Sequence, residues 1–124
     1  MNDLFKGDER EYRAVYPPSH PGLFWKQNGQ LSSAAFADPH GLSVERGNYR
    51  NPYLVVDKMK KSLKGCIVSV SVEDCLRTKA VVKYRPTSNN IYHSEIHESE
   101  TTVLLNKYQR LQLAKVAKIE YMQK

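Results

Sequence analysis

The run Cys66-Ile67-Val68-Ser69-Val70-Ser71-Val72 alternates more regularly than any other stretch of the chain. Cys66, Val68, Val70 and Val72 fall on one face of a strand, and Ile67, Ser69 and Ser71 on the other. Just upstream, Val55, Met59 and Leu63 recur every fourth residue, with Val56 widening the stripe, which predicts an amphipathic helix. Asn51 is a cap for that helix, and Pro52 at its first position loses no needed donor. Gly65 is a natural stop. The two patterns flank Gly65, so the helix stripe is expected to pack on the Val68–Val70–Val72 face.

The same reasoning places the remaining elements. Glu11 to Tyr16 alternates, with Tyr12, Ala14 and Tyr16 on one face. The prolines of PPSHPG then interrupt regular structure. Asn28-Gly29 is a hairpin-type turn, with Leu23–Trp25 and Leu31–Phe36 as its arms. Asp38 to Gly41 is a second turn, leading into the strand Leu42–Glu45. Ser71 and Asp74 resemble a capping box for a short helical turn through Leu76. Strands follow at Lys79–Tyr84 and Ile91–His97. Asn106 caps a helix to about Ala114, and Val116–Met122 closes the chain as a strand with Ala117, Ile119 and Tyr121 inward. Strands run consecutively, so the fold class is α+β. A mixed or mainly antiparallel sheet of about six or seven strands carries two main helices on one face. Residues 1–8 read as a flexible N-terminus and residues 9–124 as one domain, an ordinary size for 124 residues.

Composition narrows the function classes. The net charge of +6 favours an anionic partner, nucleic acid being the commonest. No apolar run reaches the roughly 18 residues of a spanning helix, so no membrane partner is expected. The first thirteen residues are charged and lack an apolar segment, from which a cytoplasmic location is expected. Cys66 and Cys75 form neither a C-x-x-C pair nor a disulfide framework and read as free thiols.

Three groups of residues carry candidate chemistry. The first is the run NIYHSEIHESE. On a strand, His93, Glu95 and His97 share one face, a pattern suited to acid–base chemistry. His93 and His97 stand about 13 Å apart in that geometry, too far to ligate one ion together. Glu95 with one histidine, completed from another segment, is therefore the expected catalytic unit, acting on a phosphodiester or in group transfer. The sequence specifies neither a metal nor a cofactor.

The second group interleaves cations and aromatics: Arg46, Tyr49, Arg50 and Tyr53 in one loop, Lys83 and Arg85 in another. Cations neutralise phosphates and exposed rings stack bases, so these residues are the expected nucleic-acid contacts. The third is the order Arg13, Ser32-Ser33, Glu98-Ser99-Glu100, which loosely resembles one class of ADP-ribosyltransferases. Three short signals spread over a chain often coincide by chance. A small basic protein associated with nucleic acid is the leading expectation, and a small enzyme built on the His-Glu-His strand is the second. The third is a subunit of a larger assembly, contacting a protein partner through Phe24, Trp25 and the Pro17–Pro21 loop.

Overall fold

The computed structural model describes residues 5–123. Among them, six strands form one antiparallel sheet: β1 (Arg10–Val15), β2 (Leu42–Arg46), β3 (Cys66–Ser71), β4 (Val81–Tyr84), β5 (His93–His97) and β6 (Lys118–Tyr121). The spatial order is β4-β5-β2-β1-β3-β6. Three helices complete the α+β domain: α1 (Pro52–Ser62), α2 (Val72–Arg77) and α3 (Lys107–Val116).

Local signals explain where the helices start. The Asn51 side chain accepts from the Tyr53 amide, and Pro52 occupies the first turn of α1. Ser71 and Asp74 form a reciprocal capping box on α2, as Asn106 and Gln109 do on α3. Gly65 joins α1 to β3 at φ +116°, and any Cβ there would collide with the Val15 carbonyl.

Both faces of the sheet are covered, which corrects the expected one-sided arrangement. One face carries Val15, Leu42, Val44, Val68, Val70, Val82 and Ile96. It packs against Cys75 of α2, Leu113 of α3 and a 3₁₀ turn at Ser33–Phe36. The opposite face carries Tyr12 and Ile67, on which Val55 and Met59 of α1 pack, with Tyr121 alongside. The α1 stripe therefore meets Ile67 and not the valines of β3. The reason is that β3 lies between two strands with helices above and below, so both of its faces are apolar enough to bury. Leu63 is half-exposed at the end of α1 and does not continue the buried stripe.

Two further expectations are corrected. The Asn28-Gly29 turn forms, but its arms meet only at a Trp25–Leu31 bridge. Leu31–Phe36 does not continue as a strand, because Ser32 caps the 3₁₀ turn that sends Ala35 and Phe36 into the core. On β6, Ile119 is exposed rather than inward; the strand lies at the sheet edge and its register with β3 shifts between Ile67 and Val68.

The expectation of a flexible N-terminus lies, for residues 1–4, outside the described residues. Phe5 is buried, and its ring lies 4.4 Å from the Arg46 guanidinium. Arg46 in turn grips Glu9 through two hydrogen bonds of 3.0 and 2.8 Å. Beside this pair sits Glu11, fully buried, with neither carboxyl oxygen in a hydrogen bond. Burial and the neighbouring Glu9 push its pKa from 4.5 up to about 10, against the partial compensation of Arg46.

Two outcomes follow for stability. Val70→Asp should lower the unfolding free energy by more than about 3 kcal/mol in a denaturant titration, because it places a charge in the core. Glu11 is neutral in the folded protein at pH 7 but ionised in the unfolded chain, so unfolding releases a proton. Its contribution is complete below about pH 4.5 and declines as pH rises towards about 10. Glu11→Gln should flatten the fall in Tm between about pH 5 and about pH 9, measured by thermal denaturation beside the native protein.

Candidate active site

Helix α1 packs over Tyr12 of β1, Ile67 of β3 and Tyr121 of β6, and Ser43 and His93 of β2 and β5 lie to one side of it. A groove of about 820 Å³ runs between the helix and these two strands, a size in the range of small-molecule sites, roughly 300–1,000 Å³. Tyr12, Ala14, Leu54, Met59 and Leu63 supply apolar lining, and Ser43, Glu45, Lys58, Asn90 and His93 supply polar groups.

Strand pairing assembles the polar wall of the groove. Residues Ser43 and Glu45 of β2 sit opposite Glu95 and His93 of β5. The His93 ring lies between two partners: Nδ1 is 2.8 Å from the Arg85 carbonyl oxygen, and Nε2 is 3.3 Å from Ser43 Oγ. A carbonyl only accepts, so in the neutral ring Nδ1 carries the proton and Nε2 presents its lone pair to the Ser43 hydroxyl. The Arg85 amide also donates to the His93 carbonyl at 3.1 Å, which fixes the ring's backbone. The arrangement is a hydroxyl, a base and an orienting acceptor in sequence, open to the groove.

The His-Glu-His run of β5 pairs Glu95 with one histidine, His97, and leaves His93 apart from them. Its three side chains do share one face of β5. Glu95, however, bonds to His97, with Oε1 2.7 Å from Nε2, and that histidine is buried. Gly41 makes room for this pair: at φ +114° it faces the Glu95 carboxylate, which a Cβ would strike. No group of three or more His, Cys, Asp or Glu among the described residues is arranged to hold a metal ion. Ser43 is the residue that sequence reading missed. It sits in a short alternating strand, and only its register against β5 gives it meaning.

A polar network closes one end of the groove. Glu45 is buried and accepts from Arg50 (2.8 Å), Lys58 (2.7 Å) and Asn90 (2.7 Å). Burial pushes this carboxyl up, but those three hydrogen bonds outweigh it and hold the group below its ordinary value. Asn90 also accepts from Lys58 and from the Tyr92 amide, so the network reaches the residues that lead into His93.

The cations and aromatics expected to contact nucleic acid are dispersed. Arg46 is buried against Glu9, Phe5 and Tyr84. Arg50 bonds to Glu45 and to the carbonyls of Arg46 and Gly47, and stacks on Tyr92 at 3.5 Å. Lys83 pairs with Glu100. Tyr49 is exposed, and its hydroxyl donates to Asp8 at 2.6 Å, which pushes its pKa up to about 12. Tyr53 and Arg85 are exposed without a side-chain partner among the described residues. Arg13 donates to the carbonyls of Ala35 and Ser43, and Ser32 to that of Leu23, so internal partners hold two of the three transferase-like signals.

Glu45→Gln should lower the Tm at neutral pH, and the deficit relative to the native protein should shrink as pH falls below about 4.5. A carboxylate with a depressed pKa contributes most above its unfolded value, and that contribution is lost as it protonates. Thermal denaturation across the acid range checks this. No helix among the described residues is long and apolar enough to cross a membrane. No known protein family, curated protein or solved structure matches this chain.

Proposed function

We propose that the chain is a small hydrolytic or group-transfer enzyme in which His93 acts as general base towards the Ser43 hydroxyl. One observation carries this reading: the His93 ring is oriented by the Arg85 carbonyl and directed at Ser43 in the wall of an open groove. A serine hydroxyl is a weak nucleophile until a base takes its proton, and a base needs a third group to fix its tautomer. Here a backbone carbonyl fills that third role. Glu95 and His97 act through the neighbouring strand geometry, holding β5 against the Gly41 turn.

A fluorophosphonate probe, which reacts with activated serines, should label the native protein at Ser43, located by peptide mass spectrometry. Ser43→Ala should abolish labelling, and His93→Ala should reduce it at least tenfold with an unchanged circular dichroism spectrum. Labelling that is absent from the folded native protein, or equal in His93→Ala, sinks the proposal.

A second reading is supported by the exposure of Arg85 and Tyr53. In it, these residues with Tyr49 associate weakly with single-stranded nucleic acid, without Arg46. Fluorescence titration of labelled oligonucleotides at two salt concentrations should then show affinity that falls with salt by about one phosphate contact when Arg85 is replaced by alanine. No binding at low salt removes this reading.

A further inference from the structure

The groove's charges and its apolar lining bear on what Ser43 would attack. Three cations line it: Arg13, Lys58 and Lys61. Arg13 is turned to the backbone carbonyls of Ala35 and Ser43. Lys58 is bonded to Glu45 and Asn90, and Lys61 faces Asp57 at 3.7 Å. Arg13 and Lys58 are therefore already engaged within the protein, and Lys61 stands largely in water beside Asp57. A phosphodiester needs cations directed at the charge that develops on its oxygens. By contrast, Leu54 and Leu63 stand half-exposed or more on the helix side of the groove, with Tyr12, Ala14 and Met59 beneath them. Apolar side chains left in water around a concavity mark a surface that gains from being covered.

Resting on the Ser43–His93 reading, we propose that the substrate is an uncharged carboxylic ester with an apolar acyl part, and not a phosphodiester. The acyl chain lies along Leu54, Met59 and Leu63, with the ester carbonyl at Ser43. The step balances with water as the second substrate. His93 Nε2 takes the Ser43 proton as Oγ bonds to the carbonyl carbon. The carbon–oxygen bond to the alcohol then breaks, and the alcohol leaves with the proton from Nε2. Water, deprotonated by the same nitrogen, releases the carboxylic acid and restores the Ser43 hydroxyl.

The test uses p-nitrophenyl acetate, butyrate and hexanoate on the native protein, with bis(p-nitrophenyl) phosphate as the rival. Expected is a kcat/KM that rises about twofold to fourfold per methylene, the upper value being that of full burial, with little effect of salt and no turnover of the phosphodiester. Leu63→Asp, at a half-exposed position that the core does not use, should flatten the chain-length dependence. Calorimetric titration of Ser43→Ala with the hexanoate ester separates the two proposals. Hexanoate binding by Ser43→Ala, without serine labelling of the native protein, upholds the apolar preference and fails the base–nucleophile assignment. Ser43 labelling with chain-length-independent turnover, or with preference for the phosphodiester, overturns the substrate class and leaves that assignment standing.

Discussion

The Glu45 carboxylate is the point at which three separate parts of the chain meet. It belongs to β2, and it accepts from Arg50 at the approach to α1, from Lys58 on α1 itself, and from Asn90 in the β4–β5 connection. A buried carboxylate is costly unless its lone pairs are filled, and here three donors fill them. Because Lys58 and Asn90 also bond to each other, the helix and the connection are held at a fixed separation across the sheet. That separation is what makes a groove rather than a closed core. It also sets where β5 begins, since Asn90 organises the backbone of Tyr92 and His93. The position of the His93 ring is thus tied to a charge buried directly opposite it on β2.

The other face shows what happens when an acid lacks such partners. Glu9 is matched by Arg46, whose planar fork fits a carboxylate through two bonds. Glu11, next along the same face of β1, shares that region with a single arginine that Glu9 already occupies, and it remains protonated. Two carboxyls and one guanidinium in a dry site cannot all be charged without leaving a net negative charge buried. Glu11 is the more deeply buried and has no donor, whereas Glu45 has three, and their acidities are displaced in opposite directions.

Local signals in the sequence translated well into structure. The caps at Asn51, Ser71 and Asn106 and the stop at Gly65 depend on a few neighbouring atoms, so the sequence reveals them directly. The alternation of β3 was equally legible, but not which helix covers which face: Ile67 and Val68 are both apolar, and α1 could close over either. The same limit applies to the site. Alternation correctly placed His93, Glu95 and His97 on one face, and Glu95 reaches His97 two positions on, but the group that the His93 ring faces lies on another strand. The hydroxyl that His93 faces, that of Ser43, comes from 50 positions upstream in the chain, and only the register between β2 and β5 identifies it.

Net charge illustrates the same distinction between what a sequence totals and what a fold distributes. A surplus of +6 is a property of the whole chain, whereas binding depends on which cations face solvent without a partner. Arg46 and Arg50, the most suggestive pair in the sequence, are the ones that the fold turns inward. They sit next to two buried acids, Glu9 just before β1 and Glu45 on β2. Arginine suits this role because its guanidinium stays charged when desolvated and can stack on rings, as Arg46 does on Phe5 and Arg50 on Tyr92. The lysines remain mainly outside, as on α1, where Lys60 and Lys61 are exposed. Interleaved arginine and tyrosine in a loop is therefore as good a sign of an internal cation–ring lattice as of a phosphate-binding surface. Where buried acids pair with the same segment, the internal role takes the arginines first.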